Sequence, residues 1–266
     1  MKKCLVLLLT LALVFSAAAA LAEEKLVVGM ELAYPPFEGK ADNGDPCGLS
    51  VDFCYALGEY LGREVVIENI QWDGLLTSLQ TGSIDLIMSS MTITDARKEV
   101  VDFSIPYANA YLAILANADS PVESIEDLNQ SGRKVAVKVG STGYFYALEH
   151  LPECEIVGLT DESACVIEVS QGKADAFLYD QLTIYRNQKA NPDTTKAIYI
   201  PFQDAENWGI AIAKGNDELL NSVNAFIEQY YADGGFDELT EKHLAEEKTA
   251  FDEYGFLWFF DLGEAQ

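Results

Sequence analysis

The chain has 266 residues, and its 43 acidic against 17 basic side chains give a formal net charge of −26 at pH 7. A surface of this charge repels nucleic acid and anionic membranes, which argues against both as partners. It is the charge of a soluble protein and does not exclude an anionic ligand that is held locally.

The amino-terminal residues have the pattern of a secretory signal peptide. Lys2 and Lys3 precede an apolar stretch from Cys4 to Phe15, and an alanine-rich segment then ends in Ala20-Leu21-Ala22. The apolar stretch is too short to span a bilayer, and the last three residues fit an A-x-A cleavage site. We therefore expect residues 1–22 to be cleaved near Ala22 and the mature chain to be a soluble periplasmic protein.

Short apolar strands then alternate with helix-like segments. This alternation is typical of βαβ units around a parallel sheet. In the first part of the mature chain, strands are predicted over Leu26–Gly29, Val65–Ile70 and Ile84–Met88, and helices from Ser50 to Leu61 and from Asp73 through Leu79.

The pattern begins again after the linker-like segment Asn117–Pro121. Two such sets predict a two-lobed α/β protein, and parallel sheets bind ligands beyond the carboxyl ends of their strands. We therefore expect a ligand cleft between the lobes. The second set has predicted strands at Lys134–Lys138, Glu155–Val157, Ala174–Tyr179 and Asn207–Ala213, and helices at Thr142–His150, Glu162–Gln171 and Asp217–Tyr231.

Four cysteines follow the predicted cleavage site. An even number of cysteines in an oxidising compartment favours disulfides. Three connectivities are possible; the local pairs Cys47–Cys54 and Cys154–Cys165 are favoured because each closes a short loop, and buried free thiols are the alternative. The spacing of a metal site is not present in the sequence, and neither a metal nor a cofactor is expected.

The segment Ser89–Arg97 has the features of a carboxylate-binding site. Thr94 fits the N-cap of a helix, and Arg97 would lie in its first turn. A cation there faces the positive end of the helix dipole, which a bound anion would compensate. The hydroxyls of Ser90 and Thr92, the guanidinium of Arg97 and the helix amides could hold a carboxylate together. The alternative is an ordinary ion pair of the arginine with Asp95 or Glu99.

Polar and aromatic residues also follow the other predicted strands. An arginine at one strand end supplies a cation for a carboxylate, an aspartate at another supplies an anion for an ammonium, and two aromatic rings supply flat walls. This set fits an α-amino acid zwitterion. The residues at the other strand ends are Glu31, Tyr34, Trp72, Lys138, Ser141, Thr142, Tyr179 and Asp180.

Each of these residues also has a purely structural interpretation. Tyr34 and Trp72 could be core or rim aromatics, and Asp180 could cap the helix that follows it. Their joint position at strand ends is what favours a ligand site. Glu31 favours a cationic or amide side chain on the ligand and Lys138 an anionic or amide one, and the two could instead pair with each other.

The residues at these positions form motifs of a known family. Residues 25–245 resemble the family 3 extracellular solute-binding proteins, which are polar amino-acid receptors of ABC importers. Ser50 departs from the acidic residue usual in the family at that position, which weakens this signature but not the site. The matching motifs are Tyr34-Pro35-Pro36-Phe37-Glu38, Trp72-Asp73-Gly74-Leu75, Asp85–Met88, Met91–Thr94 with Arg97, Val101–Ser104 with Pro106-Tyr107, Gly140–Gly143 and Ala174-Asp175-Ala176.

The resemblance implies a periplasmic-binding-protein-like (type II) fold. Its first lobe would comprise residues 23–109 and 206–266, its second lobe residues 110–205, and the crossings would fall near Tyr107–Tyr111 and Asp204–Asn207. A monomer that delivers a polar L-amino acid to a membrane permease is expected, closing around its ligand. A dehydratase-type enzyme and a sensory ligand-binding module are the alternatives on the same fold.

The resemblance also implies a role for each site residue. Arg97 and the Thr142 region would bind the ligand α-carboxylate. Asp180 would bind the α-ammonium with help from Ser90 and Thr92. The side chain of the ligand would lie between Tyr34 and Trp72, with Glu31 and Lys138 near its tip.

The aromatic tail Phe251–Leu262 lies beyond the family pattern. Its aromatic density argues against disorder. We expect it to pack on the first lobe, with docking to a partner as the alternative.

Overall fold

The computed structural model describes residues 25–262, so the predicted signal peptide lies outside the described residues. The strands are β1 (Leu26–Met30), β2 (Gly39–Lys40), β3 (Pro46–Cys47), β4 (Val65–Asn69), β5 (Leu86–Ile87), β6 (Val101–Phe103), β7 (Ala108–Ala110), β8 (Leu112–Asn117), β9 (Lys134–Lys138), β10 (Glu155–Leu159), β11 (Ala176–Asp180), β12 (Thr195–Ile198), β13 (Glu206–Trp208) and β14 (Ala211–Ala213). The α-helices are α1 (Leu49–Leu61), α2 (Leu75–Gln80), α3 (Asp95–Lys98), α4 (Thr142–His150), α5 (Glu162–Ser170), α6 (Gln181–Ala190), α7 (Asp217–Ala232), α8 (Gly235–His243) and α9 (Ala245–Tyr254), and Trp72–Gly74 forms a 3-10 turn.

Two five-stranded sheets form the centres of two lobes, which confirms the predicted α/β architecture. The first sheet has the order β4-β1-β5-β14-β6 and the second β10-β9-β11-β8-β12. β1 is parallel to β4 and β5, and β9 is parallel to β10 and β11. Because these parallel strands begin at the same edge of their sheet, the polar residues that follow them are gathered at the opposite edge.

The second sheet is covered on both faces. Along β9, Val135 and Val137 pack into one apolar cluster, whereas Ala136 between them packs into another. This is the period-two alternation of a strand that is buried on both sides. Lys138 ends the strand, so its ammonium group lies at the cleft edge.

Strands β7 and β13 connect the two lobes. They pair antiparallel, with Glu206 opposite Ala110 and Trp208 opposite Ala108. The first sheet is built from residues 26–103 and 211–213 and the second from residues 112–198. The exact lobe boundaries, 109/110 and 205/206, stay a prediction.

Helix α1 begins one residue after Gly48, and the prediction that Ser50 caps it is wrong. Gly48 has φ 120°, and a Cβ atom there would lie 2.3 Å from the carbonyl oxygen of Phe37. Only glycine accepts both conditions. Ser50 lies inside the first turn and is buried.

The predicted disulfides are absent, because all four cysteines after the predicted cleavage site are free thiols. Cys165 is buried in the cluster on one face of the second sheet, and Cys154 packs against the cluster on the other face. Cys54 is buried in the core of the first lobe, whereas Cys47 lies half-buried in the β2–β3 hairpin. The cysteines of each predicted pair are close in sequence, but their side chains lie in different parts of the structure and do not meet.

The aromatic tail packs on the first lobe, as expected. Phe259 is fully buried, and its ring lies 5.1 Å from that of Phe37 and 5.4 Å from that of Trp208. The side-chain amide of Asn109 donates to the carbonyl oxygens of Trp258, Phe259 and Asp261, at 3.2, 3.1 and 3.1 Å. The tail is therefore fixed to crossing strand β7. None of the helices within residues 25–262 is long and apolar enough to cross a membrane.

A cleft between the lobes as candidate functional site

The cleft between the two sheet edges contains the predicted site residues. All of them line it except Lys138, whose ammonium group is paired with Glu31. Their ligand-binding roles stay predictions. The lining residues are Glu31, Tyr34, Glu38, Trp72, Ser89, Ser90, Thr92, Arg97, Leu112, Ser141, Thr142, Tyr179, Asp180, Glu206 and Trp208.

Arg97 is a buried cation on the first-lobe side of the cleft, with 8% of its surface exposed. Its Nη1 donates to the carbonyl oxygen of Thr92 at 2.6 Å, and its Nη2 donates across the cleft to that of Gly140 at 3.1 Å. Its guanidinium carbon lies 5.2 Å from the centroid of Trp72. Burial lowers the pKa of Arg97 to about 10, so the group stays charged at neutral pH.

No carboxylate within residues 25–262 lies within ion-pair distance of Arg97. The alternative of a local pair is therefore not found; Asp95 contacts Lys98 instead, at 3.4 Å. The Thr94 cap is confirmed, since its hydroxyl accepts from the Arg97 backbone amide at 3.2 Å. Helix α3 is only one turn long, so Arg97, its third residue, lies in the first turn as predicted and in the last turn as well. The dipole of a one-turn helix is small, so the predicted conflict is weak, and the guanidinium remains as the anion donor.

Asp180 lies on the second-lobe side of the cleft, opposite the first-lobe side that carries Arg97. Its Oδ1 caps α6 by accepting from the amides of Leu182 and Thr183, at 2.9 and 3.1 Å. Its Oδ2 is buried and has no hydrogen-bond partner in the described part of the chain, and the same holds for the hydroxyl of Tyr34. Burial raises the pKa of the Asp180 carboxyl. One oxygen therefore has the capping role and leaves the other available to a cation in the cleft.

Glu31 and Lys138 form an ion pair across the cleft. Their side chains are 5% and 3% exposed, and each belongs to a different lobe. The backbone amide of Trp72 donates to Glu31 Oε1 at 3.3 Å, and the Lys138 ammonium lies 5.5 Å from the Trp72 ring centroid. The pairing that the sequence left open is therefore present, and the charges of these two side chains offset each other.

The two aromatic walls differ in burial. Tyr34 is buried in the first-lobe core, stacked on Phe37 at 5.3 Å, with its edge toward Tyr179 at 6.0 Å. Trp72 is only half-buried and contacts the core of its lobe from outside. Tyr34 is thus both a core residue and a cleft wall.

Sequence reasoning missed two carboxylates in the cleft. Glu38 is 1% exposed and accepts hydrogen bonds from the hydroxyls of Ser89 and Ser90, at 3.3 and 3.0 Å. Glu206 accepts from Thr92 and Thr142. Glu38 was visible as the last residue of a family motif, whereas Glu206 lay in a segment predicted only as a crossing. Within residues 25–262 no group of acidic, histidine or cysteine side chains could hold a metal ion.

The burial of Glu38 predicts a stability that falls as pH rises. Burial raises the pKa of this carboxyl from 4.5 to about 8. Between these values the folded state binds more protons than the unfolded state, so the free energy of unfolding decreases with pH, by up to about 1.4 kcal/mol per pH unit. Urea unfolding from about pH 5 to about pH 8 should show a shallower decrease in Glu38→Gln than in the wild type.

Glu59→Gln is the matched control for this pH dependence, because Glu59 is exposed on α1. It should keep the slope of the wild type. Parallel curves for the wild type and Glu38→Gln would contradict the argument.

Two α/β lobes joined by paired crossing strands, with charges of both signs in the cleft between them, define a two-lobed ligand-binding protein. The family model of the bacterial extracellular solute-binding proteins, family 3, matches residues 26–246. The chain belongs to this family, which confirms the resemblance seen in the sequence.

Relatives and solved structures agree with this assignment. The chain is 31% identical over 226 residues to the L-cystine-binding protein TcyJ of Escherichia coli (strain K12), with 84% of each chain covered. It is 32% identical over 268 residues to the L-arginine-binding protein of Pseudomonas aeruginosa, covering 96% of this chain and 99% of the relative. The crystal structure of the ancestral amino acid-binding protein AncCDT-1, a precursor of cyclohexadienyl dehydratase, is 40% identical, with a TM-score of 0.75 over 82% of this chain and 94% of that one.

Proposed function

We propose that this protein captures a polar L-amino acid in the cleft and delivers it, in the periplasm, to the permease of an ABC importer. The observation that carries the proposal is a pair of opposite charges on opposite lobes. Arg97 is buried without a carboxylate partner, and Asp180 Oδ2 is buried without a hydrogen bond, in the described residues. A carboxylate and an ammonium on one small ligand would satisfy both groups.

The same arrangement supports closure around the ligand. Arg97 belongs to the first lobe and Asp180 to the second, so a zwitterion that contacts both stabilises the closed form over the open one. Closure then moves the lobes about the β7–β13 pair, and a permease would recognise the closed form.

The end of the cleft formed by Glu31 and Lys138 favours a ligand with a neutral polar side chain. Glu31 and Lys138 already neutralise each other across the cleft. A charged side chain that took one partner of this buried pair would leave the other unpaired, which costs several kcal/mol, roughly 3–5. An amide group can donate to Glu31 without separating the pair, which favours L-glutamine, the ligand named for a relative that is 30% identical over 236 residues, the glutamine-binding protein GlnH of Bacillus subtilis.

A thermal-shift screen of the mature protein against the twenty common amino acids and L-cystine tests this proposal. Ligand stabilisation grows as RT ln(1 + [L]/Kd), so at about 1,000 times Kd a ligand adds about 4 kcal/mol to the free energy of unfolding. We expect the largest rise in melting temperature with L-glutamine. The absence of a shift with any amino acid would refute the proposed ligand class.

A dehydratase-type enzyme is the second candidate. It is favoured by Glu38, a cleft carboxyl whose pKa of about 8 suits a general acid. Incubation with the amino acids and with prephenate, followed by NMR, separates the two candidates. Unchanged substrates support a receptor, whether for an importer or a membrane sensor, and turnover supports an enzyme.

A further inference from the structure

Glu206 contacts both lobes from crossing strand β13. Its Oε2 accepts from the hydroxyl of Thr92 in the first lobe at 3.0 Å and from that of Thr142 in the second lobe at 2.8 Å. Its Oε1 accepts from the side-chain amide of Gln203 at 2.7 Å. A single carboxylate oxygen therefore joins two hydroxyls that are 50 residues apart in the sequence and on opposite sides of the cleft.

These hydroxyls belong to the donor set that a ligand carboxylate needs. Thr92 and Thr142 lie beside Arg97, and all three line the same cleft. A threonine hydroxyl has one hydrogen, so while it donates to Glu206 it cannot donate to a second carboxylate. Burial raises the pKa of the Glu206 carboxyl, and the hydrogen bonds of Thr142, Thr92 and Gln203 and the positive charge of Arg97, which makes no ion-pair contact with it, oppose this rise. A ligand carboxylate at Arg97 would thus be a second anion close to the first, and like charges in such a site repel.

We propose that Glu206 is an internal competitor for the α-carboxylate of the ligand. It bridges the lobes through Thr92 and Thr142 and thereby limits how strongly the cleft prefers a carboxylate over a neutral group. Gln203 holds the carboxylate of Glu206 in this position. This inference rests on the proposed function and adds to it a residue that determines specificity.

The proposal has a consequence for ligand choice. L-Glutamine carries an α-carboxylate, and L-glutaminamide has a neutral carboxamide at the same place. Glu206→Gln removes the competing charge and turns an acceptor into a group that can also donate. The ratio of the Kd of L-glutaminamide to that of L-glutamine should therefore rise about ten-fold or more in this variant, because like charges brought together in a binding site cost several kcal/mol.

Isothermal titration calorimetry with these two ligands tests the competition. Asp204→Asn is the matched control, because Asp204 is an exposed acid two residues earlier on the same segment and does not line the cleft. It should leave the ratio at the wild-type value. An unchanged ratio in Glu206→Gln, a fall in that ratio, or an equal rise in Asp204→Asn would overturn the proposal, since none of these results fits a local competitor.

A second measurement needs no ligand and therefore separates this proposal from the proposed function. If the wild type binds neither probe, the proposed ligand is wrong, whereas the bridge can still be measured by small-angle X-ray scattering. Glu206→Ala removes the acceptor that joins Thr92 to Thr142, so its radius of gyration should exceed that of the wild type. Asp204→Asn should match the wild type, and an unchanged radius in Glu206→Ala would overturn the bridge.

Discussion

Replacing Arg97 by alanine is expected to weaken amino-acid binding by two or more orders of magnitude. The guanidinium is the only buried cation beside Thr92 and Thr142 in the described residues, and no protein carboxylate pairs with it. Hydrogen bonds to a charged partner contribute roughly 1.5–3 kcal/mol each, and a bidentate contact supplies two of them. Calorimetric titration with L-glutamine measures the loss.

Two further variants make this result specific. Arg97→Lys keeps the charge but not the planar fork, so its affinity should lie between those of the wild type and the alanine variant. Arg133→Ala removes an arginine that pairs with Asp175 at 3.0 Å, at the end of β9 away from the cleft, and should bind normally. Wild-type affinity in Arg97→Ala would refute its role, and the melting temperature without ligand shows whether the variant is folded.

Replacing Phe259 by alanine is expected to lower the free energy of unfolding by about 3–5 kcal/mol, the usual cost of truncating a fully buried phenylalanine. Phe259 has no exposed surface and packs against Phe37 and Trp208, which belong to a cleft loop and a crossing strand. Equilibrium unfolding in urea measures the change.

Leu257→Ala is the control for this truncation. Leu257 lies in the same tail, with 40% of its surface exposed, and its removal should cost about 1 kcal/mol or less. Equal losses for the two variants would contradict packing as the main role of the tail. Unchanged stability of Phe259→Ala together with lost transport would instead favour docking to a partner.

Most of the architecture followed from apolar periodicity. The strand Lys134–Lys138 and the helix Thr142–His150 have the predicted bounds. The segment Asn207–Ala213 was predicted as one strand, but it forms the end of β13 and all of β14. Gly209 separates them where a Cβ atom would lie 2.8 Å from Ile93, a packing constraint that the local sequence does not display.

The candidate site was predictable where it depends on strand ends. Arg97, Asp180 and Trp72 follow or end strands, and the sheet topology alone brings them to one cleft. Glu206 was not predictable in this way, because its partners Thr92 and Thr142 are 114 and 64 residues away and meet it only when the lobes pack. The predicted disulfides do not form for a different reason, because side-chain direction rather than sequence distance decides which thiols meet.

The positions of the three tryptophans give the protein an optical property. Trp72 and Trp208 line the cleft, and the Trp72 ring lies against Gly140 of the opposite lobe, so close that a Cβ atom there would be 3.2 Å from its indole nitrogen. Trp258, in contrast, is buried in the tail. Two of the three indoles therefore respond to a change in the cleft and the third serves as a constant background, so that intrinsic fluorescence can report cleft closure without an added label.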